Sequence, residues 1–293
     1  MGERTCVIVN PASGRGRGRR MIPAITAAFG EYGVTDIRTT SGTGDDATIA
    51  RAAISDNCRT LVVVGGDGTS SNVANAILHS GVDVKLAVIP AGTGNDFAKL
   101  LGTAKMDARD VARLCAEGSE RRVDAGKVEE VHFLNCCGFG FDVAVLEGIA
   151  RNSWLRGNAV YVYTALTQLF DYRGFDVAVG DRASVRHLLL VFANAAHFGG
   201  TFEIAPGALA TDGQLDAVSI LDIPPLKRIA VLAAAMRGKH EQYRETVRAK
   251  AAEFEVTFDS PPVYETDGEL HRARSSTLTV SSCPGALRVI QAV

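Results

Sequence analysis

Three short glycine-rich segments could do chemistry, and each follows an apolar run directly. Asn10-Pro11-Ala12-Ser13-Gly14 follows Cys6 to Val9, Gly65-Gly66-Asp67-Gly68-Thr69 follows Leu61 to Val64, and Pro90-Ala-Gly92-Thr93-Gly94-Asn95-Asp96 follows Leu86 to Ile89. Glycine lets a backbone turn tightly and approach a ligand closely. Between a strand and a helix, such a turn offers N–H groups and a helix N-terminus to a phosphate. The Asp67 carboxylate would stand where the phosphates and magnesium of a nucleotide lie, and Thr69 would donate to phosphate. Any one of these segments also reads as a surface loop, an Asp-Gly turn or a helix cap at Asn95 or Asp96. Three of them at strand ends of one sheet would converge on one edge, which favours a ligand site.

Two acidic turns follow later. Asp267-Gly268-Glu269 sets two carboxylates around a glycine, where one can orient the other for proton transfer. By itself it reads more often as a solvated turn. Asp212-Gly213 by itself is an ordinary hairpin turn. Other signatures are missing: the Walker pattern, the third glycine of the dinucleotide fingerprint, GxSxG, and any histidine spacing for zinc.

The elements that would position these residues alternate over the first 120 positions. Strands are expected at Cys6 to Val9, Asp36 to Thr40, Leu61 to Val64 and Leu86 to Ile89. Helices are expected at Arg19 to Tyr32, Asp46 to Ser55, Ser71 to Leu78 and Asp96 to Leu101. Apolar strands separated by helices indicate a parallel sheet covered on both faces, whose ligands bind at the carboxyl ends of the strands. After about Arg122 the rhythm becomes that of a mostly antiparallel β domain. Its strands are expected at Val131 to Cys137, Phe175 to Val179, Val185 to Asn194, Gln214 to Leu221, Phe254 to Phe258 and Thr277 to Ser282. Helices are expected at Asn158 to Tyr172 and Leu226 to about Glu253. The fold class is therefore α/β plus β, as the 293 residues also suggest at about 150 per domain. We expect residues 1–122 as the α/β domain and 123–283 as the antiparallel β domain, with a return of about 284–293 to the first left open.

Composition excludes several classes. Thirty-one basic residues against 33 acidic ones give a net charge of −2, which argues against nucleic acid as a partner of the whole protein. The longest apolar run, Ile229 to Met236, is far short of the roughly 18 residues that span a bilayer. The N-terminus shows no secretory apolar region. Six scattered cysteines without a CxxC read as reduced thiols of a cytosolic protein.

Asn-Pro-Ala-Ser-Gly, Gly-Gly-Asp-Gly-Thr and Gly-Thr-Gly-Asn-Asp-Phe, in that order and spacing, resemble the diacylglycerol kinase catalytic domain family. Bacterial diacylglycerol kinases and the sphingosine and ceramide kinases belong to it. The resemblance continues through Val123 to Gly126, Asn135 to Gly140, Asp212 to Asp216, Gly238 to His240 and Asp267 to Glu269. It implies a β-sandwich for 123–283 and an ATP- and Mg2+-dependent lipid kinase, most directly one turning diacylglycerol into phosphatidic acid in phospholipid metabolism. Around ATP it sets Asn10, Pro11, Ala12, Ser13, Gly14, Thr40, Gly65, Gly66, Asp67, Gly68, Thr69 and Thr93, with Asn95 and Asp96 beside them. Leu209, Asp212 and Gln214 resemble a magnesium loop, with one carboxylate and two backbone carbonyls. Glu269 is implied as general base, next to Asp267. Ser70-Ser71-Asn72 departs from the family's apolar residue, Asn and Glu. Two rivals stay open: an NAD kinase-like enzyme and a non-catalytic lipid-binding relative. The stretch Lys227 to Lys250 carries seven basic residues against Glu241 and Glu245. It reads either as a basic amphipathic helix on an anionic membrane or as a packed helix with a charged outer face. Expected partners are thus a lipid substrate and, peripherally, a membrane surface, with a homodimer left open.

Overall fold

A computed structural model describes residues 4–42, 44–118, 120–151, 164 and 167–292. The chain divides into two compact units, Met1–Ala125 with Cys283–Val293, and Gly126–Ser282.

The first unit is built on parallel strands. β1 (Arg4–Val9) is flanked by β2 (Ile37–Thr39) and β3 (Cys58–Gly65), and β3 pairs with β4 (Lys85–Pro90). The far edge is closed by residues Arg288 and Val289, parallel to Lys85 and Leu86. Registers such as Val7 opposite Val62, and Val62 opposite Ala87, stack apolar side chains into one layer. Val9, Val64 and Ile89 join them against Ile25 and Phe29 of α1 (Ser13–Gly30) and Val111 and Leu114 of α5 (Ala108–Glu117). Burial of each such side chain stabilises by about 1.5–3 kcal/mol. Between these lie α2 (Asp45–Ser55), α3 (Asp67–Ser80) and α4 (Asp96–Leu100).

The helix α5 was not expected from the sequence. Asp107 caps it, accepting from the N–H groups of Arg109 at 2.8 Å and Asp110 at 3.0 Å, and Asp110 returns the bond to the Asp107 N–H. That reciprocal pair uses Asp at the position usually held by Glu or Gln.

The second unit is mostly antiparallel. The strand segment ending in β5 (Glu120–Val128) enters it and pairs with β6 (Val131–Phe133). β7 (Cys136–Gly140) lies between β9 (Val185–Ala193) and β13 (Val263–Thr266). β9 also pairs with β8 (Phe175–Val179) and β10 (Leu215–Leu221). β11 (Thr246–Ala251) pairs with β10, β12 (Glu253–Phe258) with β8, and β14 (Glu269–Arg272) with β13. β15 (Thr277–Ile290) pairs through Thr277 to Ser281 with β12. The core is aromatic: Phe139 lies 5.0 Å from Phe258, and Phe192 5.1 Å from Phe254. Such ring pairs add to the area they bury.

Several expectations need correcting. The strand expected over Val131 to Cys137 is two strands, β6 and β7. β5, α6 (Phe141–Arg151), β13 and β14 were not expected. The expected helix from Leu226 to Glu253 does not exist as one element. α7 (Pro225–Ala235) ends before Gly238, a short 3-10 turn covers His240–Gln242, and Thr246–Ala251 is strand. Gly238 has φ +63, and a Cβ there would press on Glu203 and Pro206, so the helix cannot run through it. Most of the expected helix Asn158 to Tyr172 lies outside the described residues.

Candidate functional site

In the first unit the three glycine turns interlock. Asn10 ends β1, and its Nδ2 donates to Thr69 Oγ1 at 3.0 Å. Its Oδ1 accepts the Ala12 N–H at 3.0 Å, which shapes the first turn. Gly14, Arg15 and Gly16 all have positive φ, so the first turn of α1 is not regular helix. A Cβ on Gly14 would collide with the carbonyl oxygen of Ala91 in the Pro90 to Asp96 turn. Gly92 likewise packs on Gly66: a Cβ on Gly92 would stand 2.5 Å from the Gly66 Cα. The Ala91 and Gly92 N–H groups both donate to the Gly65 carbonyl, at 2.8 and 3.2 Å. Asp67 opens α3, and its Oδ1 accepts the Phe97 N–H at 3.2 Å, tying the Gly65 to Thr69 turn to α4.

Around this frame, Pro11, Ser13, Gly66, Gly68 and Gly94 are partly exposed, while Ala12 and Thr93 are exposed. Thr40 is buried one residue past β2, with its N–H on the Val9 carbonyl at 2.9 Å. Asn95 takes the cap position of α4 at φ +53, but its side chain folds back onto Gly92 instead of capping. Asp96 is buried and receives Lys99 Nζ at 2.7 Å. Of the Ser70-Ser71-Asn72 departure, both serines are buried and Asn72 donates to Asp46 Oδ2 at 3.3 Å. The carboxyl edge of this sheet thus presents the N-terminal first turn of α3 and small, partly exposed residues beside the Asp67 carboxylate, which is how a protein cradles a polyphosphate.

In the second unit Asp267 and Gly268 are the two central residues of the β13–β14 hairpin, at φ +49 and φ +90. Both positive values match the Asp-Gly hairpin turn. The Asp267 carboxylate accepts three backbone N–H groups: Leu134 at 2.8 Å, Asn135 at 2.8 Å and Cys136 at 3.2 Å. Charge-assisted bonds of this kind are strong, so the turn is fixed to the segment before β7. Glu269 is the first residue of β14 and is exposed.

Sequence reasoning missed the acids behind that turn. Glu265 is fully buried on β13, and its Oε2 accepts the Gly268 N–H at 2.7 Å. Asp142, buried in the first turn of α6, shares its pocket. Burial pushes both carboxyl pKa values up, and the Asp142 charge raises Glu265 further. The visible signal was an acid within the otherwise apolar or small run Val263 to Thr266.

The Leu209 to Gln214 turn offers hard oxygen donors of the kind magnesium takes. Its one carboxylate is already neutralised: Asp212 Oδ2 lies 2.7 Å from Lys250 Nζ, and Oδ1 accepts the Gln214 N–H at 3.1 Å. The Leu209 carbonyl accepts the Thr211 and Asp212 N–H groups at 2.7 and 3.4 Å. As arranged, these groups hold an ammonium and do not fit a resident metal, so no step below runs through one there. Among the described residues no helix is long and apolar enough to cross a membrane.

Comparison with known proteins agrees along the chain. Residues 4–128 match the diacylglycerol kinase catalytic domain, and residues 135–291 match the YegS C-terminal NAD kinase beta sandwich-like domain. The chain is 32% identical over 281 residues to a protein of Pseudomonas aeruginosa (strain PAO1) named "Probable lipid kinase YegS-like", covering 94% of this chain and 91% of that one. It is 28% identical to a diacylglycerol kinase of Mycobacterium tuberculosis (strain H37Rv), covering 97% of this chain and 94% of that one. A crystal structure from Bacillus anthracis str. Sterne shares the fold at 23% identity, with a TM-score of 0.81 over 99% of this chain and 95% of that one. With the parallel α/β region, the antiparallel β region and both family domains in order, the chain belongs to the bacterial diacylglycerol kinase and YegS-like lipid kinase family.

Proposed function

We propose that this protein transfers the γ-phosphoryl group of ATP to a lipid hydroxyl, with diacylglycerol as acceptor and phosphatidic acid as product. Residues 1–122 with 284–293 would take the nucleotide, and 123–283 the lipid. The observation that carries this reading is the interlocking of the three glycine turns through Asn10, Gly14, Gly66 and Asp67 in a chain of this family.

The nucleotide is the magnesium complex of ATP and enters as a substrate. The Gly14 amide, amides of the Gly66 to Thr69 turn and the Thr69 hydroxyl would hold its phosphate oxygens, and Asp67 would face its metal. Preorganised donors of this kind stabilise charge as it develops, and phosphoryl transfer needs little else besides positioning. Glu269 would accept the proton of the lipid hydroxyl as that oxygen bonds to the γ-phosphorus and the bridging bond to ADP breaks. Its exposure leaves it reachable by a substrate, and its turn is held by three amides on Asp267.

Peripheral membrane contact belongs to the same reading, but on a smaller surface than a helix over 227–250. Lys227 pairs with Glu245, Arg228 with Asp222, Arg248 with Asp216 and Glu241, and Lys250 with Asp212. Arg244 also pairs with Glu245, so among the described residues the cations of this stretch without an ion pair are the exposed Arg237 and Lys239, beside exposed Leu226, Ile229 and Met236 along one side of α7 and just past its end. Apolar residues next to cations suit an anionic bilayer surface.

Incubation of the purified protein with labelled ATP and vesicles carrying diacylglycerol, sphingosine or ceramide, or with NAD, tests the reading. Label in phosphatidic acid supports it. Label only in NAD, or hydrolysis with no acceptor phosphorylated, overturns it.

A further inference from the structure

Beneath the Asp267-Gly268-Glu269 turn lies a second pair of acids that the transfer reaction itself does not use. Glu265 and Asp142 are both buried, at 0% and 7% exposure. They reach the same spot from different elements. A Cβ on Gly138 of β7 would collide with Asp142 Oδ2 and stand 2.8 Å from Glu265 Oε1, so glycine is what leaves room for two carboxyl groups. Asp142 Oδ1 accepts the Val143 N–H at 2.8 Å, but Oδ2 has no hydrogen-bond donor among the described residues. Among the described residues Glu265 Oε1 receives only the weak Cys136 thiol donor at 3.6 Å.

Among the described residues the groups facing the pair are acidic or neutral: the Cys136 and Cys137 thiols of β7, Asp267 of the turn, and the Tyr172 phenol. Two ionised carboxylates cannot share such a pocket, because neither desolvation nor their repulsion is compensated. One proton between them resolves both, giving Asp142 Oδ2 the partner it otherwise lacks.

The pair is connected to the turn. Glu265 Oε2 accepts the Gly268 N–H at 2.7 Å, and the Asp267 N–H donates to the Cys136 carbonyl at 3.1 Å. The Asp267 carboxylate holds one side of the hairpin, and Glu265 holds the Asp267–Gly268 peptide, one residue before Glu269.

We propose that Glu265 and Asp142 hold one proton between them, and that Glu265 is thereby a positioning residue for Glu269. The proton keeps Glu265 in place as acceptor for the Gly268 amide, and that bond fixes where β14 begins. This rests on the reading of Glu269 as the base. Loss of the shared proton at high pH would set the two carboxylates against each other and release the turn.

The test uses the full chain and three variants, Glu265→Gln, Glu265→Leu and Asp142→Asn. Infrared spectroscopy reads the protonated carboxylic acid, amide hydrogen exchange reads Gly268, and kinetics on diacylglycerol vesicles are followed across pH. In the parent, a buried-acid band persists at neutral pH. It disappears in Glu265→Gln and in Asp142→Asn, where an amide supplies the donor and the remaining carboxylate ionises. In Glu265→Leu the Gly268 amide exchanges at least about tenfold faster and kcat falls at least about tenfold, while KM for ATP stays within about twofold, as expected for a lost orienting contact. Glu265→Gln restores most of that kcat, because its amide oxygen still accepts from Gly268, and it removes the alkaline fall in kcat. Absence of a protonated acid in the parent overturns the proposal, as does equal kcat in Glu265→Leu and Glu265→Gln. The infrared and exchange measurements need no turnover. A parent that phosphorylates no lipid therefore removes the function proposed above, while these two measurements still decide the pair.

Discussion

Asn10 and Thr69 are 59 positions apart in sequence, and the Asn10 carboxamide donates to the Thr69 hydroxyl at 3.0 Å. The bond joins the end of β1 to the first turn of α3. With its oxygen accepting from Asn10, the Thr69 hydroxyl keeps its own hydrogen to donate, which is the role a phosphate oxygen requires. The same Asn10 side chain shapes the first turn through Ala12. One amide therefore sets the spacing of two glycine turns.

Asp67→Asn should weaken binding of magnesium-ATP about tenfold, the scale of one charge-assisted contact. Asparagine keeps an oxygen for the Phe97 amide, so the α3 to α4 tie survives and only the charge is lost. Calorimetry with the nucleotide checks this, with vesicle binding as control. Unaltered nucleotide affinity would remove Asp67 from the site.

Glu269→Gln should lower kcat by about 100-fold or more, the contribution of a positioned general base. Nucleotide binding should stay within about twofold, because the residue is exposed and begins a strand in the other unit. Single-turnover transfer to diacylglycerol measures the first, and fluorescent nucleotide titration the second. Parent-like transfer would exclude Glu269 as base.

Arg237→Glu with Lys239→Glu should reduce flotation with anionic vesicles and leave neutral vesicles unaffected. Two lost cations remove about 2 kcal/mol of surface attraction, or about thirtyfold in partitioning. Added salt should shrink the difference, since screening acts over about 10 Å at 0.1 M. Equal partitioning of both proteins at low salt would leave α7 as a packed helix with no membrane role.

Stability should depend on pH through Asp142. Burial raises its carboxyl pKa in the folded chain above the ordinary value of 3.8. The folded state then binds more protons than the unfolded one over the interval between the two values. Stability is full below the unfolded pKa and falls as pH rises toward neutrality, by at most about 1.4 kcal/mol per pH unit for one proton. Asp142→Asn should flatten that fall. Denaturant midpoints across pH for both proteins check it, and parallel curves would show that Asp142 does not titrate with unfolding.

The parallel region was legible because β1, β3 and β4 each carry a continuous apolar run, such as Leu61 to Val64, followed at once by a glycine-rich turn. Packing on both faces leaves such a pattern. The glycines of the turns also declared themselves by type, and Gly14 and Gly92 prove to be positions where a Cβ has no room. Residues 227–250 misled because basic residues in Thr246–Ala251 alternate with small ones along an exposed strand, while their partners Asp212 and Asp216 are distant in sequence. Glu265 and Asp142 were hidden for a similar reason. Their significance lies in a meeting over Gly138 that no local spacing encodes.

β15 gives the chain an order of events. Thr277 to Ser281 pair with β12, whereas Arg288 and Val289 complete the parallel sheet against β4. During synthesis the first 125 residues are made long before Cys283 to Val293. The β4 side of that sheet therefore stays an open edge until residues 283–293 leave the ribosome, with Leu86 awaiting Val289. Open strand edges invite wrong pairing. The first unit is thus begun before the second and completed after it, so a nascent chain acquires its complete parallel sheet only after the whole second unit has been made.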